Sequence, residues 1–181
     1  MKKVLVLVSS VREGRASAAL ASTVIDEIKN RKELVGEIVD LKDLQLPFYD
    51  AELLPSAEGF VSEHENIRQW QQLVKESDGL VMLTPEYNAG MAATQKNAID
   101  WLHPEWKDKP IAVVGYSWHG APTSRVHLSD VLKRVDAREV QPATALSFKK
   151  QIETDGTTLD VADVSAQLSA TLDALEAAIG K

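Results

Sequence analysis

The stretch that decides the fold is GLVMLTPEYNAGMAATQKNAIDWL, Gly79 to Leu102. Gly79 to Thr84 is apolar without polar alternation, the pattern of a strand buried on both faces. Thr84-Pro85 terminates it, because proline has no N–H to give a ladder. Glu86, Tyr87 and Asn88 then stand at the strand's carboxyl end, and Ala93 to Leu102 reads as a helix. A doubly buried strand that leads through a short loop into a helix is the building unit of a parallel sheet.

The same alternation runs outward from this unit in both directions. Lys3 to Ser9 and Leu34 to Leu41 read as strands, with a helix over Arg15 to Asn30 between them. Lys42 to Gly59 reads as an irregular connection, with Pro47 and Pro55, and Val61 to Ser77 as a helix. Beyond the opening stretch, Pro110 to Tyr116 is a fourth strand, Thr123 to Val135 a helix and Arg138 to Leu146 a fifth strand. Val161, Val164, Leu168, Leu172, Leu175 and Ile179 step by three and four, which gives a long amphipathic last helix. Five strands separated by helices predict an α/β fold of three layers, a five-stranded parallel sheet with helices on both faces. Right-handed crossovers favour the flavodoxin-like order 2-1-3-4-5. The 181 residues suit one domain, and no repeat or linker divides them.

Composition narrows the function classes. The chain has no cysteine, which excludes a disulfide scaffold, a thiolate metal site and a cysteine nucleophile, and fits a reducing cytoplasm. The formal charge of −7 argues against a general nucleic-acid or membrane-surface role. The apolar start, Met1 to Val8, is short and soon followed by Arg12 and Glu13, so it reads as a core strand rather than a leader.

In a doubly wound sheet the ligand lies outside the strands' carboxyl ends, near the switch point. Three loops therefore carry the functional reading. The first, Ser9 to Ser17, brings Ser10, Arg12, Arg15 and Ser17 to a helix N-terminus, where free N–H groups and the helix dipole favour an anion. Neither G-x-G-x-x-G nor G-x-x-x-x-G-K-[ST] is present, so a phosphate there points to a mononucleotide such as FMN. The second, Pro85, Glu86, Tyr87 and Asn88, offers backbone groups to the edge of a planar heterocycle and an aromatic wall. The third, Ser117, Trp118, His119 and Gly120, offers a hydroxyl, two rings and a glycine; His119 is a candidate hydrogen-bond donor or general acid. A solvated turn with a capping serine, a half-buried tyrosine and a lone surface histidine account for the same residues without any ligand.

Together the loops resemble the NADPH-dependent FMN reductase family, which includes quinone, chromate and azo-dye reductases. The resemblance rests on Ser10-Val11-Arg12, Pro85-Glu86-Tyr87-Asn88 and Lys96-Asn97-Ala98-Ile99-Asp100-Trp101, in matching order and spanning Val4 to the fifth strand. It implies that Ser10, Arg12 and Ser17, with Arg15, hold the FMN phosphate. It implies that Pro85 to Asn88 line the isoalloxazine and that Ser117 to Gly120 close its other edge. It further implies a homodimer or homotetramer that takes a hydride from NADPH or NADH at flavin N5. The electrons then pass to a small acceptor in a ping-pong cycle that needs no protein acid or base. The chain departs from the family pattern at Ser9, where the pattern has glycine, and at Gly90, Ala92 and Ala93, where it has serine, proline and glycine. An electron carrier of the same fold, or a flavin-binding or flavin-free regulatory relative, is the competing expectation. A plain ion pair between Lys96 and Asp100, four apart on a helix, accounts for those two residues equally well.

Overall fold

The computed structural model describes residues 1–180. Strand β1 (Lys2–Val8) lies between β2 (Leu34–Asp40) and β3 (Gly79–Pro85), and β4 (Pro110–Ser117) follows on the far side of β3. All pairings are parallel; Val4 stands beside Gly79, and Pro85 beside Tyr116. The predicted order is observed.

Alternation across the strands builds two cores. Val4, Val6, Val8, Val81, Leu83 and Val114 face helix α1 (Ala16–Lys29) and helix α6 (Val161–Ile179). Leu5, Leu7, Leu80, Met82, Ile111 and Val113 face the other way. They pack on α3 (Glu65–Glu76), α4 (Ala93–Asp100) and α5 (Pro122–Arg134). Residues Val4 to Leu7 are fully buried, which is why that run has no polar alternation.

Three expectations change. The connection after β2 contains a short helix, α2 (Leu41–Leu44), because Asp40 accepts a hydrogen bond from the Lys42 N–H at 2.9 Å and caps it. Helix α3 starts at Glu65 rather than Val61, and Val61 is 72% exposed. The fifth strand is two pieces, β5 (Arg138–Glu139) and β6 (Thr144–Ser147), each paired with β4. Pro142 lies in the gap and has no N–H for the ladder.

Candidate cofactor site

The carboxyl ends of the strands enclose a cavity of about 410 Å³, within the size range of small-molecule sites. The loop after β1 contributes Ser10, Arg12, Gly14 and Arg15, and Ala16 opens α1 beside them. The loop after β3 contributes Pro85, Glu86 and Tyr87. The end of β4 contributes Tyr116, Ser117 and Trp118, and the segment after β6 contributes Phe148 and Thr154. Larger hollows of about 670 and 780 Å³ lie by Lys133 on α5 and Asp136 just beyond its end, away from these loops.

The β1 side is built for an anion. Helix α1 begins at Ala16 with no side-chain cap and no acidic residue in its first turn, so its N–H groups and dipole are uncompensated. The buried hydroxyls of Ser9, Ser17 and Tyr116 have no hydrogen-bond partner. Burial pushes the Tyr116 phenol well above its usual range, although the Ser17 and Ser10 hydroxyls facing it pull the other way. Ser10 Oγ and the Tyr87 hydroxyl are 2.5 Å apart, and the Arg12 guanidinium lies 5.8 Å from the centre of the Tyr87 ring.

The two arginines divide their tasks. Arg15 pairs with Asp40 at the end of β2, and both side chains are about 15% exposed or less. Beside this pair Lys42 bonds Glu13 at 2.5 Å, which holds the Glu13 carboxyl below its usual range. Two ion pairs thus link the β1 loop to the β2 end, and of the loop's two arginines only Arg12 has no carboxylate partner among the described residues.

The Glu86 carboxylate is tied to the start of α5. Its Oε2 accepts from the Thr123 N–H at 2.7 Å and the Ser124 N–H at 3.0 Å, and so caps α5. Tyr87 and Gly90 exchange backbone hydrogen bonds of 2.8 and 3.0 Å around Asn88 and Ala89. Both central residues have positive φ, 49° and 61°, as a type I′ hairpin turn requires. Position 93, where the pattern has glycine, is an ordinary first residue of α4; Ala92, the N-cap, has φ −60°. The departure there therefore demands no left-handed backbone.

Of the expected residues, Ser10, Arg12, Arg15, Pro85, Glu86, Tyr87, Ser117 and Trp118 line the cavity. Ser17 lies behind its wall, buried and facing Tyr116. Asn88 and His119 are exposed and do not line it. Gly120 is buried at φ 72°, with Ala145 3.1 Å from where its Cβ would stand, so it serves the backbone rather than the cavity. Sequence reading missed Tyr116, Phe148 and Thr154. Tyr116 was hidden as the last residue of an apolar strand. The other two follow the fifth strand, whose carboxyl end the switch-point rule also covers.

The profile of the NADPH-dependent FMN reductases matches residues 2–151. The chain belongs to this family. An NAD(P)H-dependent FMN reductase of Saccharomyces cerevisiae is 38% identical over 139 residues, 72% of this chain and 73% of its own length. A quinone reductase of Escherichia coli is 29% identical over 167 residues, 89% of this chain and 85% of its own. Among solved structures, a flavoenzyme NAD(P)H:(acceptor) oxidoreductase of Paracoccus denitrificans superposes with a TM-score of 0.77 at 26% identity, covering 98% of both chains. Membership makes the chain an oxidoreductase of FMN and NAD(P)H. The cavity fits an FMN reductase in its donor set: an uncapped helix start and orphaned hydroxyls on one side, aromatic rings on the other. Among the described residues no helix is long and apolar enough to cross a membrane, and no cluster of metal-ligating side chains occurs.

Proposed function

We propose that the whole chain acts as one FMN-binding domain and as a ping-pong NAD(P)H oxidoreductase that reduces a small acceptor, a quinone foremost. The observation that carries this reading is the uncapped start of α1 opening on the same cavity as Arg12, Ser10, the buried Tyr116 hydroxyl and an aromatic wall. Ser10, Arg12 and Ser17 would hold the phosphate, together with the first N–H groups of α1. Arg15, neutralised by Asp40, would keep the loop in shape rather than supply charge. Pro85 to Tyr87 would meet one side of the flavin ring and the Ser117 to Gly120 turn its other edge, which leaves the exposed face of the Trp118 indole, backed by Phe148, open beside the ring. The chemistry supplied by bound FMN is acceptance of a hydride at N5 and delivery of two electrons to the acceptor in a second half-reaction. The protein positions the ring and limits what reaches it; the proton can come from water, and His119 and Asn88 have no part in a single chain's site.

We further propose a cytoplasmic homodimer or homotetramer without nucleic-acid or membrane partners. Phe48, Leu53, Leu54 and Val61 are each more than half exposed along one connection, an apolar surface that suits a subunit contact. Light scattering on the purified protein tests the assembly. Colour tests the function: the protein should purify yellow, bleach anaerobically with NADPH or NADH, and recover its colour with a quinone. A yellow protein indifferent to both nucleotides would sink the reductase reading and leave the electron carrier.

A further inference from the structure

Trp118 stands apart from the other three tryptophans. Trp70, Trp101 and Trp106 are at most 1% exposed. Their indole N–H groups donate to the carbonyls of Ala98, Pro47 and Ile99 at 2.8, 2.8 and 3.0 Å. Trp118 is 59% exposed, and its N–H meets no acceptor among the described residues. Its backbone, by contrast, is fixed. Ser117 Oγ accepts from the N–H groups of His119 at 3.0 Å and Ala121 at 2.8 Å, and the Phe148 N–H donates to the Ser117 carbonyl at 2.8 Å.

The indole is braced on one side only. Its ring meets Phe148 edge to face at 5.7 Å, and Phe148 meets Tyr116 in the same way at 6.3 Å. This row of rings runs from the buried end of β4 to the cavity's lip. A large ring with an open face and a spare donor, mounted on a rigid turn, is suited to contact a ligand. The charges near it are committed elsewhere: Arg15 to Asp40, Glu86 to the start of α5. Arg12 lies against Tyr87, on the β1 side. A planar apolar acceptor gains stacking and burial on this wall, whereas a small inorganic anion has no ring face to stack.

We propose that Trp118, backed by Phe148, determines acceptor specificity by stacking planar aromatic acceptors and disfavouring small inorganic anions. The proposal rests on the reading that the flavin ring occupies this cavity.

The test uses the FMN-loaded enzyme and two acceptors, menadione and ferricyanide, with rates expressed per bound flavin. In Trp118→Ala the ratio of kcat/KM for menadione over ferricyanide should fall about tenfold, and Trp118→Phe should recover most of it. Binding gives a readout without turnover. Equilibrium dialysis of menadione against the oxidised holoenzyme should show a Kd about tenfold weaker in Trp118→Ala. Iodide quenching of tryptophan emission, which reports the one exposed indole, should weaken when menadione saturates the wild type. An unchanged ratio, or an unchanged Kd, overturns the proposal. Titration of apoprotein with FMN separates the underlying reading: unaltered affinity in Arg12→Ala and in Ser17→Ala would overturn the flavin placement itself. A normal FMN response in those variants with an unchanged acceptor ratio in Trp118→Ala would overturn the aromatic wall alone.

Discussion

Glu86 allows the sharpest test of how the loops are held. Helix α5 starts with Ala121 as N-cap at φ 55°, which has no side-chain oxygen, and with Pro122, which has no N–H. The Arg125 N–H returns to the Ala121 carbonyl at 3.1 Å. Two first-turn N–H groups remain, those of Thr123 and Ser124, and both go to one oxygen of Glu86. The carboxylate is thus the only side-chain cap of this helix among the described residues, and it arrives from the loop after β3. Loss of a capping acceptor costs about 0.5–2 kcal/mol. Loss of a negative charge at a helix N-terminus adds about 0.3–1 kcal/mol. Glu86→Ala should therefore destabilise the protein by about 1–3 kcal/mol. At roughly 2–4 °C per kcal/mol for a chain of this size, Tm should fall by about 2–12 °C. Glu86→Gln keeps a carbonyl acceptor and loses the charge, so about 1 kcal/mol is expected. Urea unfolding of the apoprotein, followed by circular dichroism, measures both. Equal losses in the two variants, or a loss under 0.5 kcal/mol in Glu86→Ala, would refute the capping account. FMN affinity should drop in Glu86→Ala as well, since the same bonds locate Pro85 and Tyr87.

Arg15→Ala should cost about 2 kcal/mol, because it leaves the mostly buried Asp40 carboxylate without its partner, and Asp40→Asn together with Arg15→Ala should cost less than the sum; a double-mutant cycle in urea measures the coupling. Folded Tyr116 holds its proton to higher pH than the unfolded chain, whose phenol titrates near 10, so its contribution is complete below that pH and is lost as pH rises beyond it. Stability measured from pH 9 to 11.5 should fall more steeply in the wild type than in Tyr116→Phe, and parallel curves would contradict the buried phenol. Ala89 at φ 61° carries left-handed strain of about 1–2 kcal/mol, part of which glycine gives back through the unfolded chain. Ala89→Gly should therefore raise stability by about 0.5–1 kcal/mol, seen as a higher urea midpoint with an unchanged slope.

The fold was legible because its strands are doubly buried. Val4 to Val8 and Gly79 to Pro85 feed alternate residues to two separate cores, and only a sheet covered on both faces demands so unbroken an apolar run. The fifth strand was legible only as one piece, since its interruption depends on Pro142 meeting a ladder position that the pattern of side chains does not mark. The short helix α2 hangs on a single Asp40 cap, a four-residue event too brief for periodicity to register.

The site was legible as three loops but not as a set of bonds, and the reason is physical. Residue type announces what a side chain can do, whereas partner choice is settled by the sheet's register. Arg15 looked like a phosphate ligand because it is a guanidinium near a helix start. It meets Asp40 because the pairing of β1 with β2 sets Val8 beside Asp40 and brings the two loops together. Glu86 was expected against the flavin ring because it follows a strand, and it does line the cavity. It caps α5 because Pro85 and Tyr116 are neighbours across β3 and β4, so the loop after one lies over the helix after the other. The family pattern has glycine at position 93, a residue type that tolerates positive φ. The positive φ values fall instead at Asn88 and Ala89, within the Tyr87–Gly90 hairpin, and Asn88 suits such a conformation while Ala89 does not. The strain of this loop thus sits one residue past the Pro-Glu-Tyr-Asn motif. Replacing Ala93 by glycine, the family's choice, should on this account lower stability by roughly 1 kcal/mol through helix propensity rather than relieve anything. A stabilised Ala93→Gly protein would show that the backbone there is strained after all.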